Sequence, residues 1–150
     1  MYSRILVGVD GSQESMQALC AGISLAKSLN ATVDVLLVIA PRHYAQWADR
    51  EVLHPEPDGQ TRHVSLLQQE ENAILDAVRS TATDLGREVS IHTRVGSAVD
   101  ELIEFAAANQ SELIVVGSRG KGMAGRLLLG SVSTGVVHQS PVPVLVIKPS

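Results

Sequence analysis

The chain has 150 residues, 45% of them hydrophobic, and a net charge of −4, which suits one globular domain able to bury about 68–70% of its unfolded surface. Aromatic residues make up only 3%, too few for the stacking platforms that hold single-stranded nucleic acid, and the single cysteine, Cys20, excludes an intrachain disulfide and any multi-cysteine zinc site. No apolar run approaches about 18 residues and no secretory leader is evident, so a cytoplasmic protein with no membrane or nucleic-acid partner is expected.

Arg4 to Asp10 is a short apolar run ending in Asp-Gly-Ser, the pattern of a first strand and its turn. Ser12 is placed to cap a helix with Glu14 in its positive first turn; Met16, Leu19, Ile23 and Ala26 recur at helical spacing, and Asn30 is the stop. Cys20 falls within this helix and is expected to be a small core residue. Val33 to Ile39 is the second strand. Residues 41–60, with Pro41, Pro55, Pro57 and Gly59, break every period and predict a long mobile loop. Leu67, Ile74, Val78 and Leu85 mark a long helix closed by Gly86, and Val89 to Val95 alternates as a strand. Ser97-Ala-Val-Asp100 matches a capping box and opens a helix with Leu102, Ile103 and Ala106 inward. Leu113 to Val116 is a buried strand; Val132, Val136 and Val137 suit a short helix ended by Pro141, and Val142 to Ile147 is the last strand.

Continuous apolar strands alternating with helices predict an α/β fold. The expected form is an open, doubly wound, parallel five-stranded sheet with helices on both faces, Rossmann-like, spanning residues 1–150 as one nucleotide-binding domain. Pro143 at the start of the last strand is tolerated mainly at a sheet edge. An edge rich in Val, Leu and Ile is sticky, so a homodimer joined through Val142–Ile147 is expected.

Charge is uneven along the chain. The last 38 residues hold Arg119, Lys121, Arg126 and Lys148 and no acid, for +4, whereas the first 112 hold eight basic and sixteen acidic residues, for −8. A positive segment in an acidic protein fits a local anion site; a solvated basic loop is the alternative. Three glycine spacings compete within it. Gly120-Lys-Gly122-Met-Ala-Gly125 spells G-x-G-x-x-G, but no acid follows it for the ribose, and the match falls late in the chain. Gly117 and Gly122 have P-loop spacing, but Met123 and Ala124 replace the lysine and the hydroxyl. The third, Gly117-x2-Gly120-x9-Gly130-Ser131, makes physical sense. Gly117 leaves room for a ligand at the strand's carboxyl edge, and Gly120 lets the backbone turn an N–H toward an anion. The free N–H groups of Ser131, Val132 and Ser133 then open the last helix with its dipole behind them. The hydroxyls of Ser131 and Ser133 add donors, and Arg119 and Lys121 add charge. If the strand order is 3-2-1-4-5, the switch point lies between the first and fourth strands, where Asp10 and Gly117 end them.

The stretches ILVGVDGS, ELIVVGSRGKG and LLLGSVSTGVVHQSPVPVLVIKP resemble those of the universal stress protein family, specifically its ATP-binding branch, and the resemblance covers nearly the whole chain. It implies ATP as ligand, with Mg or Mn bridging the phosphates. Asp10 would contact the adenosine part, and Gly8 would line the first-strand side. Val38, by itself a core strand residue, would bond adenine through its backbone. Gly117, Ser118, Arg119, Gly120 and Lys121 would wrap the ribose and phosphates, and Gly130, Ser131, Val132 and Ser133 would receive the phosphate tail. Dimerisation through the last strands is implied as well. The function implied is a nucleotide-dependent stress-response module with an unknown downstream protein partner. A slow ATPase and a module binding AMP or a cyclic nucleotide are the alternatives.

Other chemistries find little support. His43, His54, His63, His92 and His138 show no metal-ligand spacing and read as loop or surface residues. Ser12, Ser15, His138 and Asp10 lack the nucleophile elbow of a hydrolase, so no catalytic residue is assigned. The plainer alternative makes Asp10 a turn residue and Ser131 an ordinary helix cap. Tyr44 and Trp47 in the long loop would cover a ligand or partner, or simply belong to an irregular loop.

Overall fold

The computed structural model describes residues 2–41, 51–55, 61–119 and 129–149, the backbone alone for 51–55 and 61–67. The elements run β1 (Arg4–Val9), α1 (Gln13–Leu29), β2 (Thr32–Ile39), β3 (Glu51–Pro55), β4 (Thr61–Ser65), α2 (Leu66–Asp84), β5 (Ser90–Val95), α3 (Ala98–Ala108), β6 (Leu113–Gly117), α4 (Ser131–Gln139) and β7 (Val144–Ile147). Five strands form one parallel sheet in the order β5-β2-β1-β6-β7, which is 3-2-1-4-5 when only these strands are counted. The Rossmann-like arrangement expected from the period is present.

Strand alternation divides the core. Ile5, Val7, Val9, Val33, Val35, Leu37 and Val115 face α1 and α2, while Leu6, Leu36, Ile114 and Val116 face α3 and α4. Both faces of the central strands are buried, which is why they read as continuous apolar runs. Buried side chains of this size each contribute roughly 1.5–3 kcal/mol.

Local signals account for α1. Ser12 accepts a hydrogen bond from the Ser15 amide at 3.1 Å, and Asn30 takes the left-handed conformation (φ 54°) at the other end. The inward face of α3 is Leu102, Phe105 and Ala106, with Ile103 only half-buried. Ser97 makes no side-chain cap there. Asp100 stands where a capping box needs the longer Glu or Gln to reach back.

Two further expectations need correction. Residues 51–55 do not belong to a loop: they pair antiparallel with 61–65, from Glu51 opposite Ser65 to Pro55 opposite Thr61. Such a ribbon is set by a partner ten residues away, and Pro55, lacking an N–H, sits at its end. Residues 42–50 and 56–60, with His43, Tyr44 and Trp47, lie outside the described residues. Cys20 is exposed, because the buried stripe of α1 runs through Ala18, Leu19, Gly22, Ile23 and Ala26 and leaves position 20 on the far side. Val137 is also exposed, while its neighbour Val136 is fully buried.

β7 lies at the sheet edge, four residues long, and Pro143 precedes it with its carbonyl accepting from the Ile114 amide at 3.0 Å. No helix of the described residues is long and apolar enough to cross a membrane.

Candidate functional site

The strand order sends the chain to opposite sides after β1 and β6, which opens a crevice at their carboxyl ends. A cleft of about 290 Å³ occupies it. Its walls include Gly8, Asp10, Val38, Gly117 and Arg119, and the first turn of α4 closes one end. Segments far apart in the sequence, at the ends of β1, β2 and β6 and at the start of α4, therefore meet at one place.

The anion-binding capacity sits at α4. Gly130 is its N-cap and offers no side chain, and the first intrahelical bond is Thr134 N–H to the Gly130 carbonyl at 3.0 Å. The amides of Ser131, Val132 and Ser133 thus precede the helical ladder, with the dipole's positive end behind them. Ser131 is exposed, Val132 half-buried and Ser133 buried.

Ser133 does something different from the role its spacing suggests. Its hydroxyl lies 2.8 Å from the Ser118 carbonyl and 3.1 Å from that of Gly130, while the Gly130 amide donates to the Ser118 carbonyl at 2.5 Å. A hydroxyl carries one proton, so here it ties residue 118 to the start of α4 rather than reaching into solvent. Ser118 also donates its amide to the Ile147 carbonyl at 2.9 Å. Its side chain is buried, is absent from the cleft wall, and its Oγ has no partner among the described residues. Positions 118 and 133 thus form the clasp at the base of the segment, while Gly120 and Lys121 lie outside the described residues.

Gly117 owes its identity to packing. A Cβ there would stand 2.9 Å from the backbone carbon and oxygen of Glu14, closer than real side chains approach. The strand end lies directly on the first turn of α1, so this helix by itself denies the position a side chain. Gly8 is similar: a Cβ would meet a Leu102 methyl at 3.0 Å.

Asp10 shapes its own turn. Its Oδ1 accepts from the Ser12 amide at 2.9 Å, and its amide donates to Ser15 Oγ at 3.3 Å. It is half-buried and lines the cleft. Arg119 also lines the cleft and pairs with Glu14, Nη2 to Oε1, at 3.3 Å.

Sequence reasoning missed the other end. Gly96 and Ala98 after β5, Leu102 of α3, and Glu70, Glu71 and Ile74 of α2 complete the wall. Burial pushes the Glu71 carboxyl up from its ordinary value. No motif marks these positions; the pairing of β5 with β2 brings Gly96 there, and the seating of Ile74 on the Gly11 turn brings α2. Among the described residues no three His, Cys, Asp or Glu side chains come together to hold a metal ion.

Comparisons with known proteins bear on the family and the fold. The model of the universal stress protein family matches residues 1–148. Universal stress protein MJ0531 of Methanocaldococcus jannaschii is 32% identical over 151 residues, covering 99% of this chain and 83% of the relative. A universal stress protein of Mycolicibacterium smegmatis is 36% identical over 150 residues, and this chain spans about half its length (47%). Among solved structures, the hypothetical protein MJ0577 is 25% identical with a TM-score of 0.79, covering 100% of this chain and 98% of its own. A universal stress protein in complex with cAMP is 28% identical with a TM-score of 0.67, covering 99% and 98%. With a family match across nearly its full length and a shared fold, this chain belongs to the universal stress protein family.

Proposed function

We propose that this chain binds ATP in the β1–β6 crevice and serves as a nucleotide-dependent module of a stress response. The observation that carries this reading is the convergence of Asp10, Arg119 and the uncapped amides of α4 on one cleft. Adenosine lies along the ends of β1 and β2, against Gly8, Asp10 and the Val38 backbone. The triphosphate runs past Gly117 and Arg119 to Gly130, Ser131, Val132 and Ser133; Gly120 and Lys121, outside the described residues, belong to the same proposed set. A Mg²⁺ or Mn²⁺ ion accompanying ATP would neutralise phosphate charge and would be held by the nucleotide and water, since among the described residues no three His, Cys, Asp or Glu side chains come together to cage it. The chain is a binding protein with at most slow hydrolysis, and it pairs with a second copy along β7, so that the Ser118–Ile147 bond links the end of β6 to the dimer edge.

The cAMP complex of a 28% identical relative favours a second reading, in which the ligand is AMP or a cyclic nucleotide. Titration calorimetry with ATP, AMP and cAMP separates the two. Gly130→Asp supplies a carboxylate that caps the α4 amides and repels phosphate, and it lowers ATP affinity at least tenfold in a protein with unchanged circular dichroism. Unchanged ATP affinity in that variant removes the site from α4 and the reading with it.

A further inference from the structure

The cleft has two chemically different ends. Its ionisable wall residues are Arg119 beside α4, Asp10 at the end of β1, and Glu70 and Glu71 on the first turns of α2. Ile74 of α2 rests on the turn after β1, since a Cβ at Gly11 would lie 2.8 Å from its Cδ1. Glu70 and Glu71 come one turn earlier, four and three residues before Ile74, and so share its face of the helix. The same cleft is walled by Leu37 and Ile39 at the end of β2, which share a core cluster with Ile74, and by Ala40 just beyond it, so the wall there is apolar.

Glu70 already has an interaction within the protein, whereas the Glu71 carboxylate finds no partner among the described residues. Glu71 is half-buried, and loss of water there pushes its carboxyl above the ordinary range. A carboxylate only accepts hydrogen bonds, and one taken partly from water without a donor is a standing cost to the fold. A ligand group carrying an N–H at that place removes the cost. In the nucleotide reading above, the Val38 backbone takes one hydrogen of an exocyclic amine; the second hydrogen then needs another acceptor.

We propose that Glu71 is a specificity-determining residue that accepts a hydrogen bond from the exocyclic amine of a purine seated over the end of β2, selecting a 6-amino base over a 6-oxo base. This rests on the nucleotide reading above and adds to it how the base is chosen. A 6-oxo purine presents a carbonyl oxygen to the carboxylate, acceptor against acceptor, and leaves both groups without a donor. Discrimination of about 10- to 100-fold follows for one such charge-assisted contact.

Calorimetry with ATP and ITP, each with Mg²⁺, on the parent protein, Glu71→Ala and Glu71→Gln tests it. The parent binds ATP at least tenfold tighter than ITP. Glu71→Ala weakens ATP about tenfold, leaves ITP unchanged or tighter, and so abolishes the preference. Glu71→Gln keeps an acceptor for the amine and a donor for the oxo group, so it holds ATP within a few-fold and gains ITP. Equal weakening of both nucleotides in Glu71→Ala, or unchanged ATP affinity, overturns the assignment while leaving the nucleotide site standing. A parent protein that binds neither nucleotide overturns both.

Discussion

Arg119 Nη2 lies 3.3 Å from Glu14 Oε1, and this pair joins the residue two beyond β6 to the first turn of α1 across 105 positions of sequence. Both side chains are about one-fifth exposed (21%), so the contact is better shielded from solvent than a surface ion pair. Arg119 lines the cleft and Glu14 does not. A phosphate entering the cleft therefore competes with Glu14 for one guanidinium.

Competition fixes the sign of two substitutions. Arg119→Ala removes a charge-assisted contact to phosphate and lowers ATP affinity about tenfold or more, by calorimetry. Glu14→Gln releases the guanidinium and removes a nearby negative charge, so ATP binds a few-fold tighter, with a smaller gain for AMP and for either nucleotide in high salt. Weaker binding of ATP to Glu14→Gln would show that the carboxylate orients Arg119 instead of competing for it.

Gly117→Ala separates packing from ligand contact. Its Cβ meets the Glu14 backbone at 2.9 Å, and backbone has no rotamer with which to give way. The variant loses about 1–3 kcal/mol of stability in denaturant unfolding with no nucleotide added. Parent-like unfolding would mean that the glycine answers to a ligand alone.

Glu71 makes stability depend on pH in a defined direction. Its carboxyl is raised from 4.5 by burial, so the folded chain holds that proton more tightly than the unfolded chain does. The ionised group therefore lowers stability at neutral pH, and the penalty is relieved as pH falls through the raised value and past 4.5. Glu71→Gln melts higher than the parent at pH 7, and the gap closes below that range. Asp10, Glu70 and Arg119, the other ionisable wall residues, are common to both proteins, so the difference isolates position 71. A gap that ignores pH would refute this.

The proposed pairing along β7 places Leu145, 36% exposed on an edge strand, near its copy in the second chain. Leu145→Glu sets like charges across such a pair and shifts the protein to monomer in sedimentation velocity at micromolar concentration. A dimer that survives this change would place the interface elsewhere.

Signals that act within one element were legible in the residues themselves. Ser12 and Asn30 bound α1 because a cap bonds its own neighbours; the apolar runs of β1, β2 and β6 declared strands buried on both faces, and alternation with helices led to a parallel sheet covered on both sides. The spacing of Gly117 and Gly130 located the carboxyl edge at which the cleft opens, because a strand end and a helix start are local events.

What one segment presents to another was decided only by the fold. Gly117 meets the backbone of α1, the Ser133 hydroxyl turns to the Ser118 carbonyl, and Cys20 misses the buried stripe of its helix by a fraction of a turn. Glu71 reaches the cleft because Ile74 seats α2 beside Gly11, a contact between positions 63 residues apart with no trace in either neighbourhood. Period and capping chemistry act over a few residues and can be read along the chain. Close approach and loss of water depend on which faces meet in space, and that is settled only when the layers pack.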